Sequence, residues 1–196
     1  LERIARLGLE TPLIYGGGIR SVAEGVRSIQ MGADRLALDA VMNDEPVTVR
    51  DLSERLGAQA IIAALPLSSS GDRVEWLNYR KNRSTEIPGA YLSLIETGAV
   101  SEVLLIDWRH EGRESSFELG LVKKFPLASA PLIVFGGIST PDQMAELLQM
   151  ENVAAVAVGN FLNYREHAIQ KFKEALATMP LRNPVYESRS SYLASD

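Results

Sequence analysis

Apolar residues in this chain cluster in short runs separated by stretches with helical periodicity. The runs Pro12–Tyr15, Asp34–Asp39, Ala58–Leu67, Glu102–Trp108, Pro131–Phe135 and Val153–Val158 read as strands. Ile61-Ile62-Ala63-Ala64-Leu65 shows no alternation, which fits a strand covered on both faces of a parallel sheet. Pro66 is expected at the exit of that strand, because a central strand needs every N–H. Helices are expected over Val22–Met31, Val47–Leu56, Ala90–Thr97, Phe117–Phe125, Thr140 to about Met150, and Tyr164–Thr178. Ser21 and Glu24 have the spacing of a capping box, and Thr140-Pro141 sets a cap and a first-turn proline. Leu1–Gly8 reads as the end of a helix, and Gly32, Gly57 and Gly98 are further helix stops. Ser68–Arg73 reads as a turn, Val74–Arg80 as a small hairpin arm and Lys81–Pro88 as a polar loop. Residues from Pro180 to Asp196 read as an irregular tail.

Two of the strand-to-helix junctions repeat each other. Leu13-Ile14-Tyr15-Gly16-Gly17-Gly18-Ile19 returns as Leu132-Ile133-Val134-Phe135-Gly136-Gly137-Ile138, at an offset of 119 residues that also aligns Gln30-Met31 with Gln149-Met150. Glycine lets the backbone turn sharply and approach a ligand closely. The unpaired N–H groups at the start of the following helix then favour an anion. A doubled strand–glycine–helix unit implies a duplicated α/β half, and a ligand with two anionic ends or two separate anions.

Strict alternation of strand and helix implies a parallel sheet covered by helices. An open doubly wound sheet is the competing architecture, but Gly16-Gly17-Gly18-Ile19-Arg20-Ser21 lacks the last glycine of the dinucleotide fingerprint. Paired phosphate sites fit a (β/α)8 TIM-type barrel better. Six βα units are present, corresponding to the third through eighth of a barrel, so two are expected ahead of Leu1. The expected organisation is a partial barrel over 1–180 and an irregular tail over 181–196.

Composition narrows the function. A net charge of −5 argues against a nucleic-acid footprint. No apolar run is long enough to span a bilayer, and the start reads as an amphipathic helix rather than a signal peptide. The chain has no cysteine, which removes disulfides and thiolate metal sites. The simplest expected location is the cytoplasm. His110 and His167 lie too far apart in sequence to signal a metal site, so neither metal nor cofactor is expected. No Ser-His-Asp set is apparent. Asp107, at a strand tip, is a candidate general acid or base, with loop capping as its structural alternative. His110 and Glu111 follow it in a charged loop. Trp76 and Tyr79 are expected to pack the arm over the mouth.

Gly16-Gly17-Gly18-Ile19-Arg20-Ser21, the Met31-Gly32-Ala33-Asp34-Arg35 junction and Phe135-Gly136-Gly137-Ile138 resemble the histidine-biosynthesis barrels, and more closely the cyclase subunits of imidazole glycerol phosphate synthase. The resemblance covers about Pro12 to Ala177. It implies a bisphosphorylated ribulosyl substrate lying across the barrel mouth. One phosphate would meet Gly17 and Gly18 with the backbone at Asp39 and Ala40. The other would meet Gly112, Gly136 and Gly137 with Gly159 and Asn160. It also implies a glutaminase partner subunit that supplies ammonia. The chain departs from the pattern at Asp39, where the family usually has a neutral polar residue, and at Pro66, where one catalytic aspartate is expected. The acidic candidates left in the loop after the sixth strand of such a barrel are Asp107 and Glu111. Two functions follow. One is a lyase-type cyclase acting in histidine biosynthesis. The other is a non-catalytic cyclase-like protein that activates a glutaminase and channels ammonia to a sugar amidotransferase for surface polysaccharide.

Overall fold

The computed structural model describes residues 1–8, 11–163 and 167–181. After a short helix α1 (Glu2–Ala5), the chain runs β1 (Ile14–Gly16), α2 (Val22–Gln30), β2 (Arg35–Leu38), α3 (Ala40–Asp44), α4 (Pro46–Leu56) and β3 (Ile61–Ser70). It continues through β4 (Arg73–Asn78), β5 (Arg83–Thr85), α5 (Gly89–Glu96), β6 (Glu102–Asp107) and α6 (Gly120–Lys124). The last elements are β7 (Leu132–Phe135), α7 (Pro141–Leu148), β8 (Val153–Val156) and α8 (Ala168–Ala175). Six strands lie in the order β1-β2-β3-β6-β7-β8, every neighbour parallel. The sheet is part of a (β/α)8 barrel, and the C-terminal ends of all six strands share one rim, which forms the mouth.

The two faces of the sheet differ in side-chain chemistry. Leu36, Leu38, Ile61, Leu65, Leu67, Val103, Leu105, Leu132 and Val134 face the helices and are buried against Leu52, Leu94, Leu121 and Leu147. Burying one such side chain stabilises the fold by about 1.5–3 kcal/mol, so this layer is the main source of stability. Residues of the other parity line the concave inner face, and Ile14 there is half exposed. At the end away from the mouth, Arg35 pairs with Glu102 across that inner face and donates to Ser101 Oγ at 2.8 Å.

Several expectations need correcting. Pro66 lies inside β3, opposite Ile106, not at the strand's exit. Ile61 O and Leu67 O both accept from the β6 side, so residues of that parity bond toward β6 and the Pro66 nitrogen faces the β2 side. The β2 ladder has already ended at Ala63, so no ladder bond is lost there. Ser68–Ser70 are not a turn; they extend β3 into an antiparallel arm with β4, and β5 occupies part of the stretch expected as loop. The helix expected over Phe117–Phe125 spans only Gly120–Lys124, because Phe117 and Glu118 are tied to the β6 and β7 loops. The last helix spans Ala168–Ala175. Its expected start at Tyr164, and the tail from residue 182 onward, lie outside the described residues.

Candidate functional site

Two cradles sit on the mouth, each built from a glycine turn and the helix that follows it. In the first, Gly17 and Gly18 take φ of +140° and +70°; in the second, Gly136 and Gly137 take +107° and +70°. These are conformations that side-chain-bearing residues rarely adopt. Among the described residues, no turn, loop or side-chain hydrogen bond uses the N–H groups of Gly17, Gly18 and Ile19, or of Gly137 and Ile138. The same is true of Gly112, Gly159 and Asn160. Both cradles therefore present free donors to the mouth.

The first cradle opens on a cavity of about 380 Å³ bounded by Gly17, Gly18, Arg20, Asp39, Ala40, Asp44 and Arg80. Helix α2 starts with the full capping box: Ser21 Oγ accepts from Glu24 N at 3.3 Å, and Glu24 Oε2 accepts from Arg20 N at 2.7 Å and Ser21 N at 3.1 Å. The Arg20 N–H bond, joined by those from Ser21, holds the Glu24 carboxyl below its ordinary pKa. The Asp39 carboxyl is pushed the other way by burial, against a hydrogen bond from Tyr91 and the field of Arg80. Tyr91 Oη donates toward Asp39 O at 3.0 Å and Asp39 Oδ1 at 3.2 Å. Burial and the adjacent Asp39 carboxylate raise the Tyr91 hydroxyl pKa. Arg80, in the turn between β4 and β5, is paired with Asp44.

The second cradle encloses about 130 Å³ between Gly112, Gly136, Gly137, Gly159, Asn160 and Glu111. Its helix cap is neutral: Thr140 Oγ1 accepts from Gln143 N at 3.4 Å, and Gln143 Oε1 accepts from Ser139 N at 3.2 Å. The loop after β6 is stitched to the turn, with Ser116 N donating to Gly137 O at 2.9 Å and Ser115 N to Ser139 Oγ at 2.9 Å. Between the cradles lies Tyr79 on the arm. Its side chain stays exposed, and partial desolvation, with the fields of Asp39 and Glu111, pushes its hydroxyl up to about 12.

Asp107 stands differently from the expectation of an acid or base at the mouth. It shares the parity of Val103 and Leu105, points to the helix side and is completely buried. Its Oδ2 accepts from His110 Nδ1 at 2.7 Å and from Glu118 N at 2.9 Å. A buried carboxylate holding two donors ties down the β6 loop, the arrangement of the loop-capping alternative. Glu111 does line the second cradle. Among the described residues no group of three or more His, Asp or Glu side chains is placed to hold a metal ion, and no helix is long and apolar enough to cross a membrane.

Sequence reasoning did not single out Tyr91, Arg80 or Ser139. Ser139 could have been found, because the 119-residue offset aligns it with Arg20. Tyr91 carries no local signal, since its role depends on α5 packing beside the end of β2.

The sequence profile of the family described as histidine biosynthesis protein matches residues 1–168. A putative imidazole glycerol phosphate synthase subunit hisF3 from Vibrio vulnificus strain YJ016 is 29% identical over 185 residues, covering 92% of this chain and 69% of that protein. The imidazole glycerol phosphate synthase subunit HisF of Leptospira biflexa strain Patoc 1 is 27% identical over 176 residues, covering 87% of this chain and 69% of its own length. With its parallel barrel strands and paired glycine turns, the chain belongs to the histidine biosynthesis protein family.

Proposed function

We propose that this chain is a subunit of the imidazole glycerol phosphate synthase type, which takes a phosphorylated sugar-type ligand at its mouth and uses ammonia from a glutaminase partner. The observation that carries this reading is the second cradle: free N–H groups from Gly112, Gly137, Ile138, Gly159 and Asn160 converge on one small cavity capped by a neutral helix start. Such convergence suits a phosphate oxyanion. Glu111 at its edge is the carboxylate placed to exchange a proton with a bound ligand.

A specific observation favours the second reading, in which the barrel activates a glutaminase and passes ammonia on without cyclase chemistry. Pro66 stands at the inner-face position where the resemblance places an aspartate, and proline cannot carry a proton. Assay of the purified protein with the bisphosphorylated ribulosyl-carboxamide precursor and ammonium chloride separates the two. Product formation supports the cyclase. A flat assay, with added phosphate still shifting the amide signals of Gly137 and Ile138, supports the non-catalytic reading. A flat assay with silent amides rejects both.

A further inference from the structure

We infer that Asp39 converts the first cradle from a phosphate seat into a seat for an uncharged, hydroxyl-bearing end of the ligand, so that the ligand carries its phosphate only in the second cradle. The inference rests on the reading proposed above and departs from the two-phosphate expectation.

Three observations carry it. First, Asp39 lies where two cavities meet. One is the first cradle, and the other is a cleft of about 290 Å³ beneath the arm, bounded by Asn43, Trp76, Asn78 and Tyr79. Second, the partner that holds its carboxylate is a neutral hydroxyl. Tyr91 is fully buried, its ring lies 5.4 Å from that of Trp76, and its Oη donates to Asp39 Oδ1. The nearby cation, Arg80, is paired with Asp44 instead. The Asp39 carboxylate is thus held by a neutral donor, and the two cations lining the cradle, Arg20 and Arg80, make no direct ion pair with it. Third, the repeat supplies an internal control. Glu24 aligns with Gln143 at the 119-residue offset, and the ladders set Leu36 beside Tyr15 as they set Val156 beside Val134, so Asp39 corresponds to Gly159; at these two positions the second turn has neutral groups where the first has carboxylates.

The chemistry follows from those placements. A phosphate entering beside this carboxylate meets like charge in a partly desolvated site. A sugar hydroxyl donates to the carboxylate in a charge-assisted hydrogen bond and accepts from the free N–H groups of Gly17 and Gly18. Asn43, Asn78 and Tyr79 offer further donors and acceptors to neighbouring hydroxyls, and the Trp76 ring forms part of the wall. Asp39 is in this sense the residue that decides which end of a sugar phosphate sits where.

The test is titration of the whole chain, followed by amide NMR, with inorganic phosphate and separately with ribitol as a neutral polyol. Phosphate is expected to bind at Gly137 and Ile138 at least about tenfold more tightly than at Gly17 and Gly18. Ribitol is expected to shift Gly17 and Gly18. Asp39→Asn should raise phosphate affinity at the first cradle by about tenfold and leave the second unchanged; Asp39→Ser replaces it if the Asn variant does not fold. Phosphate titrating both wild-type cradles within twofold, an unchanged first cradle in the variant, or ribitol leaving Gly17 and Gly18 unmoved each overturns the inference. If phosphate leaves Gly137 and Ile138 unmoved, the reading under Proposed function falls as well, and the silent second cradle distinguishes that failure.

Discussion

The two glycine turns share one backbone and differ in everything packed around it. A Cβ built on Gly17 or Gly18 meets nothing within 4 Å. A Cβ on Gly136 comes within 2.6 Å of Asp107 O, and one on Gly137 within 2.6 Å of Ser116 Oγ and 2.9 Å of Phe117 N. Glycine in the first turn is needed for conformation alone, and in the second for conformation and space. The charges differ in the same sense. The first helix start is capped by the Glu24 carboxylate, with Asp39 and Asp44 in the cavity beside it, and the second is capped by the Thr140 hydroxyl and the Gln143 amide, although Glu111 and Glu114 also line its cavity. The difference teaches that a duplicated motif preserves backbone geometry while each copy's neighbours determine its ligand.

The largest effect should come from exchanging the turn glycines. Gly137→Ala combines a left-handed conformation with overpacking against backbone, and a loss of about 3 kcal/mol or more is expected. Gly18→Ala has the same φ but open space, so the conformational cost of about 1–2 kcal/mol is all that applies. Urea denaturation of both variants checks the contrast, and equal losses would break it. Next comes the anchor beneath the second turn. Asp107→Asn weakens two charge-assisted hydrogen bonds to a buried group, for which a loss of about 2 kcal/mol is expected. Hydrogen exchange at the Glu118 amide should rise with it. An unchanged exchange rate would remove Asp107 from its loop-capping role.

Much of this was written locally in the chain. The six parallel strands follow from apolar runs between capped helices, and the capping box at Ser21 and Glu24 forms as its spacing dictates. The paired turns were legible because glycine is nearly obligatory at φ near +70°. What was not legible depends on contacts between distant segments. Pro66 reads as a strand end because local rules assume both edges are paired, and only the early end of the β2 ladder makes it tolerable. Asp107 reads as a catalytic candidate because a strand tip faces either way, and one residue of register sends it to the helix side. Tyr91 is read as helix core and becomes the holder of Asp39 only when α5 docks against β2.

The smallest effect sharpens the comparison most, because it concerns two carboxyls of the same cradle with opposite signs. The Glu24 pKa lies below its ordinary 4.5, since folding gives the carboxylate N–H partners. Its stabilisation is therefore present above pH 4.5 and is lost as pH falls through the lowered value. The Asp39 pKa lies above its ordinary 3.8, since burial penalises the charge more than Tyr91 and Arg80 support it and Asp44 adds repulsion. Its contribution is favourable below pH 3.8 and is lost as pH rises through the raised value. At neutral pH, Glu24→Gln should lower thermal stability and Asp39→Asn should raise it. Asn at 39 keeps an oxygen for Tyr91, so the Asp39→Asn gain reports the charge rather than a lost hydrogen bond. Both differences should shrink on acidification, the Asp39 one first, because its raised pKa is reached first from neutral pH. Melting curves from pH 7 downward measure this order. Two differences of the same sign at neutral pH would mean that Asp39 is neutralised in the native cradle, and the two turns would then be electrostatically alike.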